Sequence, residues 1–170
     1  MILQLKELFD REGARQAFQC EIDLSGLRHG GGYPLQKPVQ ISGTVENRTG
    51  IVTLGYLAMF TLNTLCDRCL TPVERDFSMR FEHILVRELA GKDEEEFIVC
   101  ADDTLDLAPL ATEDILLELP TRILCREDCK GLCPKCGTNL NESTCDCNQD
   151  AEVDSRLSVL LTLLDQDDEN

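Results

Sequence analysis

Residues 51–89 read IVTLGYLAMFTLNTL, then CDRCLTP, then VERDFSMRFEHILVREL, and this stretch decides the fold. Its first part, residues 51–65, is an apolar and threonine-rich run suited to a central strand. In its last part Val73, Phe77, Met79 and Phe81 fall on one side of a two-residue period, and Glu74, Asp76, Ser78, Arg80 and Glu82 fall on the other. That is the pattern of a strand with one face on a core, and it continues through residues 84–89. Cys66 and Cys69 then lie at the turn between two strands.

Upstream, Asn47 to Gly50 is a turn signal, and Val39, Ile41 and Val45 alternate with polar residues, so residues 39–65 read as a hairpin. Residues 28–38 hold Gly30, Gly31, Gly32, Pro34 and Pro38, a density of breakers that only a loop tolerates. Before it, Phe18, Cys20, Ile22 and Leu24 alternate as a half-buried strand. Downstream, residues 91–96 form an acidic loop and residues 97–100 a short strand. Asp106 is a good helix N-cap, Pro109 suits a first turn, and Leu107, Leu110, Ala111, Ile115 and Leu119 repeat at helical spacing up to Pro120. A second amphipathic stretch, Val153, Leu157, Leu160, Leu161 and Leu164, predicts a short C-terminal helix followed by an acidic tail. The expected class is α+β: a β-rich antiparallel sheet or partly open barrel, with one or two helices and a C-terminal zinc-stapled loop. The expected organisation is a core domain over residues 1–120 with its helix near 107–119, a cysteine-rich loop over 121–150, and a helix and tail over 151–170.

The chain has 170 residues and no Trp, so leucine, isoleucine and valine must build the core. Sixteen basic residues against 32 acidic ones leave a formal charge of -16, which repels a bare phosphate backbone and makes a basic protein the easier partner. Residues 1–16 lack the basic leader and apolar core of a secretory signal, and no window approaches a membrane span; the expectation is a cytoplasmic protein without a membrane role. In a reducing compartment, ten cysteines at short spacings argue for metal rather than disulfides.

Six of those cysteines, Cys125, Cys129, Cys133, Cys136, Cys145 and Cys147, occur within 23 residues. The segment Cys133-Pro134-Lys135-Cys136-Gly137 has the form of a zinc knuckle, in which amides turn toward the sulfurs and the glycine relieves the bend. A structural zinc is expected on Cys133 and Cys136 first, then on Cys147 and Cys129, with Cys125 and Cys145 in reserve. Cys66 and Cys69 are half a site that surplus cysteines would complete, or else packed thiols at a turn. Cys20 and Cys100, in alternating strands, read as core.

Catalytic signals are sparse. His29 lies in the glycine-rich loop and His83 on an alternating strand, neither with a nucleophile or carboxylate arrangement that suggests general-base work, so each reads as structural, and Gly30-Gly31-Gly32 lacks the lysine and helix start of a phosphate cradle. An all-cysteine zinc site is closed to substrate, and no small-molecule substrate is evident. The expectation is a non-enzymatic binding or assembly factor; the alternatives are a thiol-based redox or zinc sensor and, lacking a catalytic constellation, a hydrolase or nuclease. Arg122, Arg126, Lys130 and Lys135 stand among only Glu127 and Asp128, which makes this the one RNA-facing candidate, or else a set of cations offsetting thiolate charge. Arg68, Arg75, Arg80 and Arg87 alternate with acids and read as a solvated face.

Taken together, Cys66-Asp67-Arg68-Cys69-Leu70 with Pro72-Val73, the run from Asp128 to Gly137, Asn139-Leu140-Asn141 and Cys145-Asp146-Cys147 resemble the YceD family, the large ribosomal RNA subunit accumulation proteins, in a cysteine-rich bacterial form. The resemblance implies a role in keeping large-subunit ribosomal RNA at normal levels, during processing or subunit assembly. Its implied partner is a basic ribosomal protein or a ribosome-assembly intermediate.

Overall fold

A computed structural model describes residues 1–88 and 97–147. The chain divides into two compact units, Met1–Cys129 and Lys130–Asn170, with the second described as far as Cys147. The acidic loop expected over residues 91–96 and the helix expected over residues 153–164 lie outside the described residues.

In chain order the first unit comprises β1 (Ile2–Gln4), α1 (Lys6–Asp10), β2 (Arg15–Ile22), β3 (Val39–Arg48), β4 (Ile51–Leu65), β5 (Pro72–Val86), β6 (Phe97–Val99), β7 (Thr104–Asp106) and α2 (Leu107–Glu118). Strands β2 to β6 form one sheet in sequence order, antiparallel except for the parallel pair β5 and β6, while β1 pairs with β7 in a two-stranded ribbon. The sheet is open and not a closed barrel, and the α+β class holds.

The two-residue period read in β5 runs across the whole sheet. Ile41, Ala58 and Met79 stand side by side on one face, as do Val45 and Leu54, and this face carries the buried leucines, valines and isoleucines. The opposite face carries Ser42, Thr53, Thr61, Ser78, Arg80 and Glu82. With one face buried, a slip of one residue would send every apolar side chain to solvent, which fixes the register. Gly43 is required by packing: a Cβ there would lie 2.5 Å from the Gly55 carbonyl oxygen, 2.6 Å from Tyr56 Cβ and 2.7 Å from the Phe18 ring. The β3–β4 turn is Thr49-Gly50, both with positive φ, at 52° and 85°, the mirror-image turn whose twist suits a hairpin. Asn47, 2% exposed, fastens it: its side-chain amide donates to the Leu8 carbonyl at 2.7 Å and its Oδ1 accepts from Gly50 N–H at 3.0 Å.

Helix α2 begins as its sequence dictates. The Asp106 carboxylate accepts from Ala108 N–H at 3.2 Å, an N-cap of the kind worth about 1 kcal/mol, and Pro120 follows the C-cap Leu119. Leu107, Ala111 and Ile115 form its buried stripe. Arg87 is exposed, as expected of a solvated face, and there it also acts as a clamp: its guanidinium meets Asp103 at 2.5 Å and Asp10 at 2.7 Å and lies 4.9 Å from the centre of the Phe9 ring.

Candidate metal centres

The ten cysteines form no disulfides. Eight of them gather in two sets of four, Cys66, Cys69, Cys125 and Cys129 in the first unit and Cys133, Cys136, Cys145 and Cys147 in the second, with all sulfurs of a set within 4.8 Å of one another. The foursome Cys133, Cys136, Cys147 and Cys129 is divided by the fold: Cys129 joins the Cys66 set, and Cys145 takes the fourth place beside Cys147.

Each set is built on the same backbone device. In residues 66–71 the Cys66 N–H donates to the Thr71 carbonyl at 2.8 Å, and Leu70, at φ 58°, donates its N–H to the Cys66 carbonyl at 2.9 Å. In residues 133–138 the Cys133 N–H donates to the Thr138 carbonyl at 2.8 Å, and Gly137, at φ 74°, donates to the Cys133 carbonyl at 2.8 Å. The threonine that follows sits beside the second cysteine in both, with Cys69 Sγ 3.2 Å from Thr71 Oγ1 and Cys136 Sγ 3.1 Å from Thr138 Oγ1. The shared pattern is Cys-x-x-Cys-x-Thr, read twice, and it is present in the sequence although the single Cys-x-x-Cys at residue 66 gives only half a site. Leucine at position 70 is the costly version, since a side chain in the left-handed region costs roughly 1–2 kcal/mol that glycine avoids.

The first set also staples chain segments together. Asp67 N–H donates to the Ile123 carbonyl at 2.9 Å and the Asp67 carboxylate accepts from Ile123 N–H. Arg68 donates to the Cys129 carbonyl at 2.7 Å, and Arg75 to the Leu124 carbonyl at 3.1 Å. These two arginines are exposed, as expected, and their guanidinium groups also hold residues 123–129 against the β4–β5 turn.

A divalent ion on four thiolates at about 2.3 Å needs sulfurs roughly 3.8 Å apart. Cys66 Sγ lies 3.8 Å from Cys129 Sγ, and Cys69 Sγ 3.5 Å from Cys125 Sγ, so the first set fits such an ion with little movement. Proton affinities are unequal within each set. Burial pushes the Cys66 thiol up, but hydrogen bonds from the Cys125, Arg68 and Cys69 backbones outweigh it and bring the pKa down to about 6. Hydrogen bonds from Thr138 likewise lower Cys136 to about 6. Cys125, desolvated and bonded to its neighbour sulfurs, is pushed up to about 12, and Cys147, beside Cys136, also to about 12. Each set thus offers a ready thiolate next to a thiol that gives up its proton only to a competing cation. Cys20 and Cys100 stand apart on strand β2 and after β6, and burial pushes both thiols up.

The four cations singled out in sequence, Arg122, Arg126, Lys130 and Lys135, are all exposed, and Arg126 pairs with Asp128 at 3.4 Å. The fold also corrects the reading of His83. It does meet a carboxylate, that of Asp114 on α2, at 2.7 Å, and the same oxygen accepts the Tyr56 hydroxyl. His29 closes a small backbone bridge with Gly32.

A family model, "Large ribosomal RNA subunit accumulation protein YceD", matches residues 58–164, more than half of the chain. The chain is 29% identical over 135 residues to the uncharacterized protein YlbN of Bacillus subtilis, a match covering 78% of each. It is 30% identical over 119 residues to the uncharacterized protein Rv2926c of Mycobacterium tuberculosis, covering 68% of this chain and 56% of that one. It is 27% identical over 164 residues to the chloroplastic "Large ribosomal RNA subunit accumulation protein YCED homolog 1" of Arabidopsis thaliana, covering 79% of this chain and 51% of the plant protein. The chain thus spans about half the length of the mycobacterial and plant relatives. No solved structure matches it. Among the described residues, no helix is long and apolar enough to cross a membrane.

Proposed function

We propose that this chain, which belongs to the YceD family of large ribosomal RNA subunit accumulation proteins, supports the accumulation of large-subunit ribosomal RNA in the cytoplasm without catalysing a reaction. It does so by binding a basic ribosomal protein or an RNA–protein intermediate of subunit assembly. The observation that carries the reading is the family match over residues 58–164, which takes in all eight clustered cysteines. The charge of -16 supports a protein partner over bare RNA. Local RNA contact is assigned to Arg122, Arg126, Lys130 and Lys135, the basic interval in an acidic chain.

Each set of four thiols holds one structural zinc ion in this reading. Soft sulfur donors in a closed set of four suit zinc, which would supply cross-linking of segments and no Lewis-acid chemistry, because no coordination position is open. In the first unit that cross-link joins the β4–β5 turn to residues 125–129; in the second it joins residues 133–136 to residues 145–147.

The test is deletion of the encoding gene followed by measurement of large- against small-subunit ribosomal RNA. The ratio should fall and recover on complementation, and affinity capture at low salt should retain ribosomal proteins. An unchanged ratio would remove the reading. The redox-sensor alternative has one observation in its favour, the exposure of Cys136 in the second set. It requires reversible zinc loss under mild peroxide with a cellular response that deletion abolishes.

A further inference from the structure

Strand β5 is partnered over residues 72–85 on one side and only at its end on the other. Residues 72–85 face β4, whereas β6 accompanies only Ile84, Leu85 and Val86. Among the described residues, positions 72–83 have no strand beside them on the β6 side. In a strand the N–H and C=O of one residue point the same way, and successive residues alternate. The Cys100 N–H reaches the Val86 carbonyl at 2.7 Å, so the polar groups of Val86 face the β6 side. Counting back in twos along an unbroken register, those of Glu82, Arg80, Ser78, Asp76 and Glu74 face the open edge. No proline or bulge interrupts residues 73–83, and Phe77, Met79 and Phe81 leave a half-buried apolar strip along the core side. A long, unbroken edge of this kind is a template for another strand.

We propose that a second copy of this chain binds here, β5 pairing antiparallel with its counterpart so that the sheet runs on across both molecules. The sequence of β5 is complementary to itself in one register. With Phe77 opposite Phe77, two-fold symmetry sets Glu74 against Arg80 twice, Asp76 against Ser78 twice, and Val73 against Phe81 twice. Arg75, which donates to the Leu124 carbonyl, stands opposite Met79. Neighbouring registers that keep the outward backbone groups facing each other all set like charges together: Glu74 against Glu82, Asp76 against Glu82, or Asp76 against itself. Among the described residues Glu74 makes an exposed contact of 3.4 Å to Lys37, which Arg80 of the second copy would replace or share.

Sedimentation velocity of the full chain, metal-loaded and under reductant, over a range of concentrations tests this. A concentration-dependent dimer is expected. Glu74→Arg and Arg80→Glu should each weaken it about tenfold, since each converts two attractions to repulsions, and the two together should restore it. Ser78→Pro removes an N–H from the open edge without touching the β4 ladder and should give a folded monomer. If Ser78→Pro disturbs the fold, the charge-swap pair decides alone. A chain that stays monomeric at its highest soluble concentration overturns the proposal, as does a dimer that neither single charge change weakens or that the double exchange fails to rescue.

Discussion

Tyr56 on β4 and Asp114 on α2, 58 residues apart in sequence, share a hydrogen bond in which the phenol donates to the carboxylate, and His83 meets the same oxygen from β5. Tyr56 is 3% exposed and also packs against Phe81, at 5.2 Å between ring centres. One carboxylate therefore ties the helix to two strands. Asp114→Ala should cost about 1–3 kcal/mol of stability, because it strands a buried phenol without an acceptor. Tyr56→Phe should cost less, since Asp114 keeps His83 as a partner. Urea unfolding of both variants gives the order; equal or reversed losses would mean that the bond carries little of the helix's attachment.

The same contact sets an alkaline response. Desolvation, then the hydrogen bond to Asp114 and its charge, raise the Tyr56 pKa well above the ordinary tyrosine value. A raised folded pKa means that the neutral phenol stabilises the fold below the unfolded value of about 10. That contribution is lost as pH climbs toward the folded value. With Tyr33 replaced by Phe, Tyr56 is the one tyrosine left, and its phenolate absorbance should appear only together with loss of the fold. Ionisation near pH 10 in a fully folded sample would contradict the buried contact.

At Gly43 the expected outcome is steric. An alanine Cβ would press on the Gly55 carbonyl and Tyr56 Cβ, neither of which can swing away. Gly43→Ala should destabilise by about 1–3 kcal/mol, as overpacking does. Gly55→Ala, with open space at its Cβ position, is the matched control and should be near neutral in thermal unfolding.

The long strands were legible because fifteen residues of β5 give the two-residue period room to repeat, and the Asn47–Gly50 turn and the Asp106 cap each carry their own chemistry. Strands β1, β6 and β7 have three residues apiece, too few for a period, so β1 and β7 went unseen and the parallel pairing of β6 had no signal. Helix α1, at five residues, offered no capping side chain. The cysteines were legible as ligands by type, yet their partition was not, because Cys129 is four residues from Cys133 in sequence and 63 from Cys66, its actual neighbour at 3.8 Å. Thr71 and Thr138 were the missed clue, for the repeated Cys-x-x-Cys-x-Thr marks two half-sites of one kind, although which of Cys125, Cys129, Cys145 and Cys147 completes each is set only by the fold.

That partition predicts metal sites that can be lost one at a time. Elemental analysis of protein purified without added metal should give two zinc ions per chain. Cys69→Ser and Cys136→Ser should each leave one, and the double variant none. Loss of the first site should lower the thermal stability of the β-sheet unit, because residues 123–129 lose their cross-link to the β4–β5 turn. A single zinc in the unaltered chain, or one abolished by either substitution, would mean that the sulfurs form a shared site.

Loading should also be coupled to pH, with a sign that the free thiols set. In the metal-free chain at pH 7, Cys66 and Cys136, each at about 6, are already ionised, whereas Cys125 and Cys147, each at about 12, hold their protons. An ion that takes four thiolates must displace at least the proton on Cys125 or on Cys147, so each site releases a proton on loading. Apparent zinc affinity should then rise at least tenfold per pH unit at either site between about pH 6.5 and 8.5, measured by competition with a chromophoric chelator. Below about pH 6 the slope should steepen, because Cys66 and Cys136 then start protonated as well. An affinity flat across neutral pH would show that the thiols are ionised before metal arrives, which the desolvation of Cys125 and the hydrogen bond of Cys147 with Cys136 oppose.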